Sequence, residues 1–289
     1  MIKIKLNRWP GGVTHALTMS YDDGVTFDVR LAELFDAHGI RGTFHMNSNY
    51  DMETGDGWHL PAEPIRDIAR RHELSLHMHT HPFPTKIPLA QVADEVIENR
   101  RALEPLAGYP LRGMSYPYGD FNDDVIALIR ALGVEYSRTT CSTGKFDIPD
   151  DFLRWNPTCH HNGVGTLWEE FIDNRYAEHK PLLFYLWGHS YEFDRDGNWD
   201  AIEQFCAKAG GRDDVWYATN IEIVDYINAM YALKFSADRT LVRNVSPIDV
   251  YISVNGKPEC IRANAVTRLE VDLSLIHIWR RRERVRGEE

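Results

Sequence analysis

The sequence predicts an α/β protein built on a mostly parallel sheet. Short apolar segments typical of buried strands recur along the chain, and they lie at residues 15–21, 41–47, 74–79, 112–117, 134–140 and 181–187. Segments with helical periodicity lie between most of them. Strands that alternate with helices favour a parallel sheet covered by helices, which is either an open doubly wound sheet or a closed barrel.

The intervening segments carry signals of helix ends. The segment 122–133 begins at Asn122, a favoured N-cap residue, and ends at Gly133. The segments 27–39 and 89–108 show the apolar spacing of amphipathic helices and also end in glycine. We therefore expect a helix at each of these three places.

The C-terminal part of the sequence has a different pattern. β-branched residues alternate there, and the pair Asn255-Gly256 is typical of a tight hairpin turn. The sequence thus predicts an α/β domain over residues 1–232 and a small antiparallel β appendage over residues 233–271. The arginine-rich stretch 272–289 is expected to be a non-native or disordered tail.

Composition and charge narrow the classes of function. Of the 289 residues, 43% are hydrophobic and 26% are charged, which is ordinary for a globular protein. The formal charge of -11 argues against a nucleic-acid partner or an anionic membrane surface. A segment with the features of a signal peptide or a membrane span is not readable, so a cytoplasmic location is expected, although a trimmed leader would look the same. The four cysteines are widely spaced, and we expect them to be reduced thiols.

Polar side chains follow four of the predicted strands. They are Asp22 and Asp23, His77 and His81, Tyr118, and His189. In parallel α/β sheets, ligands bind beyond the carboxyl ends of the strands. These residues are therefore expected to converge on one site.

The histidine pair and the aspartate pair together indicate a metal site. His77 and His81 are four residues apart, so both imidazoles reach one point if the segment makes a helical turn. One carboxylate and two imidazoles form the three-ligand set of a catalytic metal, for which zinc is the default. A cation would also offset the repulsion between Asp22 and Asp23. The alternatives are a chance histidine pair and a simple Asx-turn at the strand end.

Four short segments carry a resemblance to a known family. In order along residues 15–190, "SYDDG", "HMHTH", "YPYG" and "LWGH" resemble the successive motifs of the polysaccharide deacetylase family, the NodB-homology carbohydrate esterases, so the chain resembles carbohydrate esterase family 4. The resemblance implies a distorted (β/α) barrel and a metal-dependent hydrolase. Such an enzyme removes N-acetyl groups from amino sugars in a polysaccharide or an oligosaccharide, so an N-acetylated carbohydrate is the expected partner.

The resemblance also implies roles for individual residues. Carried over by position, they are Asp22 as general base, His189 as general acid, Asp23, His77 and His81 as metal ligands, and Tyr118 as a substrate-binding residue whose backbone N–H helps to hold the oxyanion.

The sequence departs from the family pattern in its arginine and its fourth motif. The position where the family has an arginine is Ser115, so Arg112 or Arg154 is expected to pair with Asp22 instead. The fourth motif is matched by Asp151 and Trp155, and Trp155 is expected to form a wall of the groove.

Two other functions remain open from the sequence. One is hydrolysis of another small or cyclic amide on the same scaffold, and the other is a carbohydrate-binding module that has lost catalysis. The presence of Asp22 and His189 favours an enzyme. His160 and His161 are expected to face solvent, with contacts to sugar hydroxyls as the alternative. Glu192 is expected either to orient His189 or to cap a loop.

Overall fold

The helices and strands confirm the predicted alternation in the computed structural model, which describes residues 2–270. The helices of this part of the chain are α1 (Asp28–Ala37), α2 (Ala62–Arg71), α3 (Leu89–Ala107), α4 (Asp123–Ala131), α5 (Leu167–Ile172), α6 (Tyr191–Arg195), α7 (Trp199–Ala209) and α8 (Asn220–Tyr231). The strands are β1 (Ile4–Lys5), β2 (His15–Asp23), β3 (Gly42–Met46), β4 (Glu73–Leu76), β5 (Gly113–Ser115), β6 (Tyr136–Arg138), β7 (Cys159–His160), β8 (Leu182–Gly188), β9 (Val215–Tyr217), β10 (Lys234–Phe235), β11 (Leu241–Arg243), β12 (Val250–Val254), β13 (Lys257–Ile261) and β14 (Val266–Arg268).

The chain divides into two compact units. Of the described residues, one unit comprises Val13–Asp225, and the other comprises residues 2–12 together with residues 226–270. The sequence places the division near residue 232 and assigns the N-terminal residues to the larger part. In the structure, β1 pairs antiparallel with β12, so the N-terminal residues join the smaller unit.

The larger unit contains a curled parallel sheet. Its strand order is β6-β5-β4-β3-β2-β8-β7, and β9 pairs with β2 beside this path. At the far side of β6, the Trp155 N–H donates to the carbonyl oxygen of Ser137, and the Trp155 carbonyl accepts from the Thr139 N–H. The chain after β6 thus continues the curl of the sheet towards β7. The prediction of a distorted (β/α) barrel is confirmed.

Burial and helix capping explain why these segments fold as they do. All residues of β2 before Asp23 are buried, as expected for a strand that helices cover on both faces. The side chain of Asn122 accepts a hydrogen bond from the Val125 N–H, which confirms the predicted N-cap of α4. α3 ends at Gly108 in the left-handed conformation, with φ of 78°. β7 and β9, of two and three residues, are absent from the sequence prediction.

The smaller unit contains antiparallel strands, as predicted for the appendage. β12 and β13 form a hairpin around Asn255 and Gly256, whose φ angles of 51° and 88° match the turn that the sequence predicts. β10, β11 and β14 form a second antiparallel sheet. The predicted tail, residues 272–289, lies outside the described residues. Among residues 2–270, the helices lack the combination of length and apolar character that crossing a membrane requires.

Candidate active site

Two adjacent carboxylates end β2 and reach the same imidazole. Successive strand residues normally point to opposite faces of a sheet. Asp23 has a φ of 82°, so the regular strand geometry ends there. Asp22 Oδ2 and Asp23 Oδ1 consequently lie 3.8 Å and 3.4 Å from His77 Nε2. A positive φ at a residue other than glycine costs free energy, and such strain is concentrated at functional sites.

Asp23, His77 and His81 bring three potential metal ligands together. His81 Nε2 lies 3.1 Å from His77 Nε2 and 3.7 Å from Asp23 Oδ1. The expected helical turn is not what positions them, because Met78 and His81 have φ angles of 61° and 55°. The strand-to-loop turn after β4 instead directs both ring nitrogens towards Asp23.

The donor set and its spacing fit a divalent metal. Tetrahedral zinc with bonds of about 2.1 Å separates its ligand atoms by roughly 3.4 Å. The three observed separations lie between 3.1 Å and 3.7 Å. Burial, together with the charge of His77, lowers the pKa of His81 to about 4, so this imidazole is neutral at pH 7 and able to ligate.

Ser115 fixes the orientation of His77. The Nδ1 atom of His77 lies 3.0 Å from the carbonyl oxygen of Ser115 and 2.7 Å from its Oγ. A donor at Nδ1 leaves the lone pair of Nε2 facing Asp23, which is the arrangement of metal-ligating histidines. The Ser115 hydroxyl also lies 3.2 Å from Asp22 Oδ1. One serine at the end of β5 thus contacts both a potential ligand and the neighbouring carboxylate.

Asp22 is buried in contact with a cation. Its residue is 2% exposed, and its Oδ2 contacts the guanidinium of Arg138 at the end of β6. Burial alone would raise the pKa of the Asp22 carboxyl, but the charges of Arg138 and His77 outweigh it and lower the pKa. Asp22 is therefore ionised at neutral pH.

His189 approaches the site from the end of β8. Its Nε2 lies 4.0 Å from Asp23 Oδ2, and its Nδ1 lies 3.6 Å from Glu192 Oε1. Burial lowers the pKa of this imidazole, but the carboxylates of Glu192, Asp22 and Asp23 outweigh burial and raise it. His189 consequently holds its proton to a higher pH than an exposed histidine does.

Glu192 faces two further histidines. Its Oε2 lies 2.9 Å from His160 Nε2 and 3.2 Å from His161 Nε2. Burial raises the pKa of Glu192, but the facing histidines outweigh it and lower the pKa well below the usual range. The expectation that both histidines face solvent is wrong for His161, whose side chain is 2% exposed. The expectation that Glu192 orients His189 is compatible with this geometry.

The arginine beside Asp22 differs from the sequence expectation. Arg112 instead pairs with Glu135 and Asp225. Arg154 pairs with Asp123 and Asp151. The signal that sequence reasoning missed was Arg138 itself, a charged residue at the carboxyl end of the predicted strand 134–140.

Trp155 and Asp151 also lie away from the groove. Trp155 is 1% exposed and packs against Tyr136 and Tyr185, so the expectation that it forms a groove wall is corrected. Its backbone ties the chain to β6, which explains why a large side chain is buried at this position. Asp151 accepts a hydrogen bond from the Leu153 N–H at the start of a short 3-10 turn.

Tyr118 lies at the mouth of the site. Its side chain is 55% exposed and stacks on Phe83, with ring centroids 3.8 Å apart. The Tyr118 ring also meets His81 edge to face, at 4.4 Å. Its φ of 58° lies in the short 3-10 turn that follows β5, and it is positive like that of Asp23.

An open cleft adjoins the three potential ligands. Its volume is about 330 Å³, and its lining is polar and aromatic: Asp23, Asn47, Asn49, Tyr50, Trp58, His59, His79, Thr80 and His81. Trp58 is 45% exposed there. Such a cleft suits a hydroxyl-rich ligand with at least one apolar face.

Comparisons with known proteins show which family and which fold the chain resembles. The family model "Polysaccharide deacetylase" matches residues 12–137. A chitooligosaccharide deacetylase of Bradyrhizobium sp. (strain ANU 289) is 29% identical over 126 residues, which are 42% of this chain and 54% of that protein. The chain thus spans about half the length of this curated relative.

A solved structure supports the fold, and a second one is similar to it more weakly. The first is the crystal structure of a protein from Mycobacterium smegmatis described as a polysaccharide deacetylase. Its TM-score is 0.57 at 19% sequence identity, and the match covers 78% of this chain and 94% of that one. The family 4 carbohydrate esterase of Streptomyces lividans, in complex with acetate, has a TM-score of 0.49 at 14% identity, covering 71% and 93%. The fold is that of a NodB-type domain, and the motif residues lie at the carboxyl ends of its parallel strands. Residues 12–137 are thus similar to the polysaccharide deacetylase family, and the rest of the chain lies outside that match.

Proposed function

We propose that this protein is a metal-dependent hydrolase that removes N-acetyl groups from amino sugars in an oligosaccharide or polysaccharide. The observation that carries the proposal is the cluster of Asp23, His77 and His81, whose ligand atoms lie within 4.8 Å of one another. Asp22 borders this cluster on one side and His189 on another. Amide hydrolysis needs a base, an electrophile and an acid, and these five residues offer all three.

The cluster of Asp23, His77 and His81 is the proposed metal site, with zinc as the first choice. When bound there, a divalent metal polarises a carbonyl and lowers the pKa of water to about 7. Because Arg138 keeps Asp22 ionised, this carboxylate accepts a proton from the attacking water. Positioned proton transfers of this kind contribute about 10² to 10⁴-fold to rate.

His189 is the proposed general acid. An amine leaves a tetrahedral intermediate slowly as an anion, so its nitrogen must receive a proton. The carboxylates around His189 favour its protonated form, and its Nε2 is directed towards Asp23. The backbone N–H of Tyr118 is the proposed donor to the oxyanion, because Tyr118 lies against His81 at the cleft mouth.

The proposed substrate is an oligomer of N-acetylated amino sugar. Support comes from the name of the curated relative, a chitooligosaccharide deacetylase, and from the open cleft with its exposed Trp58. Sugar rings present apolar faces that pack on aromatic side chains and hydroxyls that bond to amide and imidazole groups.

The experiment measures acetate release and bound metal on the same samples. Zinc-loaded protein is incubated with chitooligosaccharides of defined length, and acetate is quantified. We expect Asp22→Asn to lose activity by at least about 10²-fold while it retains the metal, because Asp22 acts on water. His77→Ala should lose both metal and activity. Arg112→Gln, in an ion pair away from Asp22, is the matched control.

Full activity of Asp22→Asn would contradict the assigned base. If the metal-loaded protein releases no acetate from any acetylated sugar but hydrolyses small cyclic amides, that result would instead support the alternative function, hydrolysis of a small or cyclic amide on the same scaffold.

A further inference from the structure

A second group of metal-ligating side chains lies outside the proposed catalytic cluster. Among the described residues, His160, His161 and Glu192 also place one ligand atom each within 4.8 Å of the others. These residues come from the end of β7, the turn that follows it, and α6. The proposed deacetylase reaction assigns no ligand role to them.

The short distances in this group are not matched by hydrogen bonds. Glu192 Oε2 lies 2.9 Å from His160 Nε2 and 3.2 Å from His161 Nε2. Within residues 2–270, however, Glu192 Oε2 and both ring nitrogens of His161 are buried without a hydrogen-bond partner. A buried polar atom that lacks a partner costs about 1 to 3 kcal/mol. The donor atoms therefore lie at ion-pair distance around a common point, but without hydrogen-bond geometry between them.

The ring of His161 is held rigidly in this orientation. It stacks on Tyr21 with an interplanar angle of 10°, and its centroid lies 4.2 Å from that of Phe193. A Cβ atom at Gly188 would come within 2.0 Å of His161 Nδ1, so any larger residue at position 188 would displace the ring. The side chain is 2% exposed. Because packing already fixes the His161 ring in the folded protein, little further conformational entropy is lost when the ring binds a cation.

We propose that His160, His161 and Glu192 form a second transition-metal site, which binds one zinc-type divalent cation per chain. Two imidazoles and one carboxylate are a ligand set that suits zinc and leaves a fourth position open. Ligand atoms around tetrahedral zinc are separated by roughly 3.4 Å, which is near the two measured contacts. The cation would supply the missing partner of His161 Nε2 and Glu192 Oε2.

The two oxygens of Glu192 connect this site to the catalytic one. Oε2 faces His160 and His161, whereas Oε1 lies 3.6 Å from His189 Nδ1. A cation on Oε2 fixes the carboxylate, and the carboxylate in turn fixes the ring of His189. His160, His161 and Glu192 are thereby positioning residues for His189 as well as ligands.

Metal stoichiometry tests the proposal independently of enzyme activity. Chelated, metal-free protein is dialysed against buffered zinc, and bound zinc per chain is measured. The wild type should bind two zinc ions. Glu192→Gln and, separately, His160→Asn should each bind one. The double variant Asp23→Asn/His81→Asn should also bind one, and this ion should be lost when His160→Asn is added.

Controls separate loss of the site from loss of the fold. Asp196→Asn, which removes the partner of the Arg195 side chain near Glu192, should still bind two zinc ions. His160 is 24% exposed at its side chain, so His160→Asn should fold even if Glu192→Gln does not. Circular dichroism and thermal unfolding check each variant.

A second measurement identifies the ligands. Cobalt replaces zinc in the Asp23→Asn/His81→Asn protein, and its visible absorption band should disappear with His160→Asn. The proposal is overturned if the Asp23→Asn/His81→Asn protein binds no zinc, or if its bound zinc survives both Glu192→Gln and His160→Asn. Failure of the deacetylase proposal would appear separately, as metal-loaded protein without acetate release.

Discussion

The guanidinium of Arg138 contacts the carboxylate of Asp22, and both side chains are almost completely buried. Arg138 ends β6 and Asp22 lies near the end of β2, so three strands of the sheet separate them in the pairing order. The curl of the sheet brings the two ends together. The ionisation of Asp22, the proposed base, is therefore maintained by a residue 116 positions away in the sequence.

The first prediction concerns this ion pair. Arg138→Gln removes the positive charge that lowers the pKa of Asp22, so the acidic limb of the kcat/KM pH profile should move to higher pH. The free energy of unfolding should fall by about 3 to 5 kcal/mol, because the buried carboxylate of Asp22 loses its partner. pH–rate profiles and urea unfolding measure the two effects. Arg112→Gln, which breaks a partly exposed pair, should leave the acidic limb in place; an equal shift in both variants would contradict the role of Arg138.

The second prediction concerns His189. His189→Gln should slow hydrolysis of an N-acetylated sugar by about 10² to 10⁴-fold, because the amine loses its proton donor. Hydrolysis of 4-nitrophenyl acetate should fall much less, since the phenolate leaves without a proton. The raised pKa of His189 predicts a basic limb of the wild-type kcat profile above pH 6.5, and the variant should lack this limb. Equal losses on both substrates would indicate a structural defect. His38→Gln, at the C-terminal end of α1, serves as the control.

The third prediction concerns stability at acidic pH. His72 accepts a hydrogen bond from the Gly42 N–H at Nδ1, and burial, with Arg71 nearby, lowers its pKa to about 4. Between pH 6.5 and 4 the unfolded chain binds a proton that the folded protein refuses, so His72 makes stability fall as the pH falls. Between these two pH values, His72 lowers the free energy of unfolding by about 1.4 kcal/mol for each unit that the pH falls.

The variant His72→Asn isolates this contribution, because its amide oxygen replaces Nδ1 and does not titrate. We expect the difference in unfolding free energy between wild type and variant to shrink by up to about 2 kcal/mol from pH 7 to pH 5. Urea unfolding at both pH values measures it. Parallel curves for the two proteins would refute the assignment, and His38→Asn is the control.

The fourth prediction separates two tryptophans. Trp58 is 45% exposed in the cleft, so Trp58→Ala should raise KM for an oligosaccharide roughly tenfold, for about 1.4 kcal/mol of lost packing on the sugar, with little change in kcat. Trp155 is buried, so Trp155→Phe should lower the unfolding free energy by about 1 to 3 kcal/mol and leave KM unchanged. Steady-state kinetics and thermal unfolding distinguish the two outcomes. A higher KM in Trp155→Phe with unchanged KM in Trp58→Ala would instead indicate that Trp155 contacts the substrate.

Patterns in the amino-acid sequence were enough to predict the alternation of strands and helices, the hairpin at Asn255 and Gly256, and the set of residues at the strand ends. These features are local, since periodicity, capping and turn preferences act over a few neighbouring residues. Asp23, His77 and His81 are recoverable for the same reason, because each directly ends or follows a recognisable strand.

The partners of these residues follow from the tertiary structure and not from local sequence patterns. Arg138 rather than Arg112 meets Asp22, because the curl of the sheet is a property of all its strands together. Trp155 is buried because its backbone bonds to β6, and His161 is buried because Gly188 leaves room for its ring. Contacts between residues far apart in the chain depend on sheet register and packing, and a local pattern carries no information about either.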